Sequence, residues 1–311
     1  MDFLTRVNPE LRDSLLSVPI VELPHGLDEA RQIPTPPTGA SELVRTTEQL
    51  ICGGDGQQML IKIYQPAERD GTQLPALLWI HGGGYVLGHP NNDDTLCEKF
   101  VEAAGCVVVS PNYRLAPEHP YPAAIEDCYA TLVWMTQATA ELNIDLPRIA
   151  IGGGSAGGGL TAALALLARD RGGPSVCFQM PLYPMIDDRN NTFSSHEITD
   201  TQAIWYRSNN LAAWKMYLGC QESGEIPPYA APTRAENLEG LPPTYTCVGQ
   251  LDPFRDETID YVTRLAEAGI DVEFHLYPGC FHAFEHVVQH AEVSQRAKDG
   301  YIQALKRALS R

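Results

Sequence analysis

Gly153-Gly154-Ser155-Ala156-Gly157 is a G-x-S-x-G sequence set between an apolar run at residues 148–152 and a segment of helical spacing at residues 160–169. A serine at such a junction sits on a very tight turn that lifts its hydroxyl above a sheet. The flanking glycines are what so close a backbone passage demands. The helix that starts there aims amide N–H groups and its positive dipole end at the place where an oxyanion would form. Alone, the pentapeptide is a weak signal, since GGGSAGGG would also suit a packing turn or a phosphate cradle. A cradle belongs to the first strand–helix turn of a chain, and this one comes far later.

His81-Gly82-Gly83-Gly84 follows directly on the apolar run ALLWI. Three consecutive glycines let a loop turn its N–H groups toward one point. With the N–H of Ala156, those of Gly83 and Gly84 could hold a tetrahedral oxyanion, where losing one donor typically costs about 10²–10³ in rate. A merely flexible loop is the bland alternative, and its place upstream of a serine elbow argues against it.

Such chemistry needs an acid and then a histidine further along. Asp252 lies just past the strand-like residues 244–248, and Asp256 and Glu257 compete for the role from one helical turn on. Those two read as charges at a helix start. His282 falls in a loop at residues 278–284 between aromatics, whereas His286 lies four residues later on a helix. Ser155 as nucleophile, His282 as base and Asp252 as the acid that fixes its tautomer make a set for acyl transfer. No metal or organic cofactor is required for it.

These residues need a scaffold that brings them together. Short apolar runs at residues 76–80, 106–110, 148–152, 176–180, 244–248 and 272–276 alternate with helical segments at 95–104, 123–137, 160–169, 258–268 and 293–309. That alternation predicts an α/β fold with a mostly parallel sheet covered on both faces. Two β-prone runs, 48–52 and 59–64, precede it as a hairpin. Near the N-terminus, Asn8-Pro9-Glu10 marks a helix start, and Leu11, Leu15 and Leu16 are expected on one face before Pro19 stops it. Residues 1–40 are expected as cap helices and a Pro/Thr-rich linker, ahead of a catalytic domain at 41–311. An insertion at about 187–225, holding Phe193, Trp205, Tyr206, Trp214 and Tyr217, would complete the cap. Trp205, Tyr206 and Trp214 could line an apolar pocket, although aromatics at helical spacing more often belong to a core.

The formal charge of −17 repels phosphate backbones and anionic lipid, which speaks against nucleic-acid and membrane-surface roles and favours a small neutral substrate. No run is long and apolar enough for membrane insertion, and no secretory signal is evident, so the cytoplasm is the expected compartment. The eight cysteines, Cys52, Cys97, Cys106, Cys128, Cys177, Cys220, Cys247 and Cys280, lack metal or C-x-x-C spacing and read as reduced structural thiols. A monomer or homodimer is expected.

HGGG, YRLAPEHPYPAAIED at residues 113–127, GGSAGG, LDPFRDE at 251–257 and FHAFEH at 281–286 stand in this order. Together they resemble the hormone-sensitive-lipase-like branch of α/β-hydrolase esterases, from about residue 40 to the C-terminus. The resemblance implies Ser155, His282 and Asp252 as the triad and Gly83, Gly84 and Ala156 as the oxyanion donors. It also implies hydrolysis of short- to medium-chain carboxylic esters, with amide or lactone hydrolysis using the same machinery. A ligand-binding receptor on a spent hydrolase is the rival from another class, and the intact triad argues against it. Two departures stand out: Gly154, where the family has Asp or Thr, and Ala283, where it has Gly. Tyr113, Arg114 and Glu118 are expected as a structural polar cluster.

Overall fold

The computed structural model describes residues 2–219 and 225–310. Its strands are β1 (Val44–Cys52), β2 (Gln58–Pro66), β3 (Leu74–Ile80), β4 (Val107–Pro111), β5 (Ile144–Gly154), β6 (Phe178–Leu182), β7 (Thr244–Leu251) and β8 (Val272–Phe281). They form one sheet in the order β1-β2-β4-β3-β5-β6-β7-β8. The β1–β2 hairpin is antiparallel and joins β4 antiparallel, while β3 to β8 pair in parallel. This is the expected α/β architecture.

Alternation along each strand divides the core in two. On one face Ala76, Leu78, Ile80, Ile149 and Ile151 pack with buried residues of the covering helices. On the other, Leu77, Trp79, Ala150 and Met180 do the same. Before the sheet come α1 (Phe3–Arg6), α2 (Pro9–Leu15) and α3 (Leu27–Gln32). Within and after it come α4 (Asp94–Ala104), α5 (Ala123–Gln137), α6 (Thr139–Leu142), α7 (Ala156–Asp170), α8 (Phe193–Glu197), α9 (Arg207–Leu218), α10 (Arg255–Glu267), α11 (Phe284–Val287) and α12 (Glu292–Leu309). Helices α5, α7 and α10 cover the first face; α4 and α12 cover the second. Val293, Ala297, Tyr301, Leu305 and Leu309 recur every four residues, and all are buried, as one stripe of a helix against a sheet requires.

Several expectations change in detail. Asn8 does cap α2, accepting from the Glu10 N–H, but the helix ends at Leu15 and leaves Leu16 54% exposed instead of on the buried face. Phe193 is 71% exposed, whereas Trp214 and Tyr217 pack with Tyr85 in the core. Strand β8 does not stop at residue 276: it continues through Pro278-Gly279, and the pairing with β7 shifts register there, because proline supplies no N–H. Tyr113, Arg114 and Glu118 do not form one cluster. Arg114 grips Asp127 and Asp55, Glu118 pairs with Arg31, and the Tyr113 hydroxyl donates to the His81 carbonyl.

Residues 220–224 of the expected insertion, Cys220 among them, lie outside the described residues. The other seven cysteines are unbridged. Among the described residues no helix is long and apolar enough to cross a membrane.

Candidate active site

Strand register assembles the site. Ile80 pairs with Gly153, Gly154 with Leu182, and Leu251 with Phe281. The residues that follow these partners, His81, Ser155, Tyr183, Asp252 and His282, therefore gather along the C-terminal ends of parallel strands. That is where an open α/β sheet presents its ligands.

Ser155 has φ 58° and ψ −120°, a conformation costing about 1–3 kcal/mol for a non-glycine residue. Close packing enforces it. A Cβ on Gly157 would stand 2.0 Å from the Ile80 carbonyl oxygen, and one on Gly153 2.5 Å from the same atom. The flanking glycines are thus needed for approach to β3. The Ser155 N–H donates to the Leu182 carbonyl, and its own carbonyl accepts from Met185, so the turn is fastened to the end of β6.

The Ser155 Oγ lies 2.9 Å from His282 Nε2, and His282 Nδ1 lies 2.8 Å from Asp252 Oδ2. An ionised carboxylate only accepts, so Nδ1 carries the proton and Nε2 is left to accept from the serine hydroxyl. Asp252 is fully buried, and its Oδ1 accepts from the Phe254 N–H, which fixes the carboxylate plane. The imidazole stands edge-on to Tyr183 and Phe254, with Trp205 tilted beside it.

The glycine loop adopts a conformation that side chains would resist: Gly83 has φ 121° and Gly84 φ 62°. The Gly83 carbonyl accepts from Val86 and Leu87, and the Tyr113 hydroxyl holds the His81 carbonyl. Among the described residues the N–H groups of Gly83 and Gly84 enter no hydrogen bond, and that of Ala156 opens α7 with no preceding turn to bond. His81 is buried and stacked on Tyr113, and burial lowers its pKa to about 4, so it stays neutral.

The competing residues are occupied elsewhere. Asp256 accepts from the Ser194 N–H and from Arg255, and Glu257, fully buried, accepts from the N–H groups of Ile186 and Asp187. His286 is exposed, with Nδ1 3.9 Å from Asp93. Among the described residues no three His, Cys, Asp or Glu side chains gather as a metal-binding group.

Above Ser155 opens a cavity of about 920 Å³. Its lining includes apolar Leu16, Val18, Ile20, Ile33, Ile204 and Trp205 together with polar Asp93, Glu285, His286, Lys298 and Tyr301. The N-terminal segment is tied to α9 over this space: the Leu23 N–H donates to Asn209, and Asn209 donates to the Val21 carbonyl. Leu16 is thus exposed toward the cavity. Trp205, one of the aromatics offered as a pocket candidate, does line the cavity, its indole lying where a Cβ on Gly84 would be, whereas Tyr183 and Glu285 were not singled out. The only trace of the latter pair was position: Tyr183 one residue past a strand end, and Glu285 three residues after His282.

A family model described by the alpha/beta hydrolase fold matches residues 77–286. Esterase LipI of Mycobacterium tuberculosis is 37% identical over 275 residues, covering 86% of this chain and 85% of LipI. Carboxylesterase NlhH of the same species is 36% identical over 291 residues, covering 90% and 87%. Among solved structures, a bacterial heroin esterase superposes with a TM-score of 0.92 at 38% identity over 99% of both chains.

Proposed function

The chain belongs to the α/β-hydrolase family, in its hormone-sensitive-lipase-like branch, and from this we propose that it is a serine carboxylesterase acting through Ser155, His282 and Asp252. The observation that carries the proposal is the unbroken Ser155–His282–Asp252 chain of contacts at 2.9 and 2.8 Å, buried beside an apolar cavity.

The reaction runs in two steps. Ser155 Oγ bonds to the ester carbonyl carbon as its proton passes to His282 Nε2, and the carbonyl electrons move to an oxyanion facing the N–H groups of Gly83, Gly84 and Ala156. Collapse breaks the bond to the alcohol oxygen, which takes the proton from His282. Water, deprotonated by the same nitrogen, then repeats the sequence and releases the acid. Asp252 stays ionised and stabilises the imidazolium that forms twice.

The apolar lining residues support neutral esters of short to medium acyl length, and the same steps would open a lactone or a reactive amide. The described parts of residues 1–40 and about 187–225 act as a cap over the catalytic part. The unbridged cysteines support a reducing, cytoplasmic setting, and because one chain carries the whole site, the enzyme works as a monomer or a homodimer.

Hydrolysis of p-nitrophenyl esters of increasing acyl length, compared between wild type and Ser155→Ala, tests the proposal. The expected result is activity on the shorter chains that falls about 10⁴-fold or more in the variant. Equal rates in both would overturn the role of Ser155. No turnover in either, with no labelling by an organophosphonate, would favour a binding protein built on this fold.

A further inference from the structure

Tyr183 and Glu285 have no part in the two steps above, yet they lie against them. The Tyr183 hydroxyl donates to Glu285 Oε1 at 2.6 Å, with both side chains buried. The Tyr183 ring meets the His282 ring edge to face, with centroids 5.2 Å apart and planes at 81°. Glu285 lies in the first turn of α11, directly after the turn that holds His282, separated from it by Ala283 in the left-handed region and by Phe284. One side chain, rooted at the end of β6 beside Ser155, therefore holds the histidine loop at two places.

Three further features agree. Tyr183 has φ +33°, a strained conformation for an aromatic residue, of the kind that persists where surrounding structure dictates it. A Cβ on Gly154 would stand 2.9 Å from the Tyr183 hydroxyl and 3.2 Å from its ring, so the bare glycine before the nucleophile makes room for this tyrosine. Finally, Glu285 Oε2 is buried without a partner among the described residues. An apolar side chain would avoid that cost, so what the glutamate supplies is its bonded oxygen.

We propose that Tyr183 and Glu285 are positioning residues, a clamp that keeps His282 in register with Ser155, and that Gly154 is the space the clamp requires. The inference rests on the catalytic roles proposed above and extends them to the residues that aim the base. A misplaced base costs turnover more than it costs substrate binding.

The test compares Glu285→Leu, Glu285→Gln and Tyr183→Phe, with Ser155→Ala and organophosphonate labelling of the wild type as controls. Glu285→Leu should lower kcat about 10- to 100-fold with KM unchanged while the protein remains folded by circular dichroism. Glutamine offers the same acceptor to the tyrosine and should keep kcat near the wild-type value. Tyr183→Phe, which keeps the ring, should lower kcat in the manner of Glu285→Leu, and the double variant should be no worse than either alone. A folded Glu285→Leu or Tyr183→Phe with wild-type kcat would overturn the clamp, as would Glu285→Gln falling as far as the leucine variant. An unlabelled, inactive wild type would instead sink the catalytic reading beneath it, so the two failures are distinguishable.

Discussion

At the scale of the residue, neutrality matters as much as charge in this site. His81 is held neutral by burial, its pKa lowered from 6.5 to about 4. As pH falls below 6.5 the unfolded chain takes up a proton at this position and the folded one does not. Stability is therefore fully present above that value and is lost toward pH 4, by at most about 3 kcal/mol from this group. Thermal unfolding followed across that range should show a falling melting temperature, and His81→Asn should flatten part of the fall. The residues proposed as triad and oxyanion loop stand together in the structure, and the sequence offered them because each is a residue type that little else explains: glycines where no Cβ fits, a serine between them, an acid and a histidine just past strand ends. Tyr183 and Glu285 could not be read that way. A tyrosine after a strand and a glutamate in a short helix are ordinary residues until register brings them together.

At the scale of the element, approach distances decide what is tolerated. Helix α7 begins so close to β3 that an added methyl at Gly157 would collide with backbone, which cannot swing aside as a side chain can. Gly157→Ala should therefore either fail to fold or lose most of its activity with a melting temperature several degrees lower, as circular dichroism and an ester assay on the same preparation would show. A soluble variant of normal stability and activity would contradict this account of the elbow. The strands in the middle of the sheet were legible because parallel strands covered on both faces read as unbroken apolar runs, as in ALLWI and RIAIG. The ends were not. Strand β5 begins at Ile144, before a Leu-Pro pair that masks it, and β8 runs through Pro278-Gly279, where turn chemistry suggested a loop. That second misreading bears on the site, because the continued strand is what pairs Phe281 with Leu251 and so sets His282 beside Asp252.

At the scale of the whole molecule, the formal charge of −17 surrounds a site that works on a neutral bond. An ester carrying a free carboxylate should have a higher KM than its neutral isostere. The difference should shrink with added salt, since the Debye length falls from about 30 Å at 0.01 M to about 3 Å at 1 M. A steady-state comparison of the two esters at low and high salt checks this, and a gap indifferent to salt would place the discrimination in the cavity wall.

The N-terminal helices rest on elements that come almost last in the chain. The Asn8 N–H donates to the Gly279 carbonyl, and Glu10 accepts from the Val293 N–H. On a ribosome that adds about 5–20 residues per second, α1 and α2 emerge some tens of seconds before the surface they dock on. The proposed nucleophile, Ser155, likewise leaves the tunnel well ahead of its proposed base, His282. A nascent or prematurely released chain ending before residue 279 thus carries a serine with no histidine to activate it and a roof with no wall to lean on. On the proposed roles, competence arrives only late in synthesis.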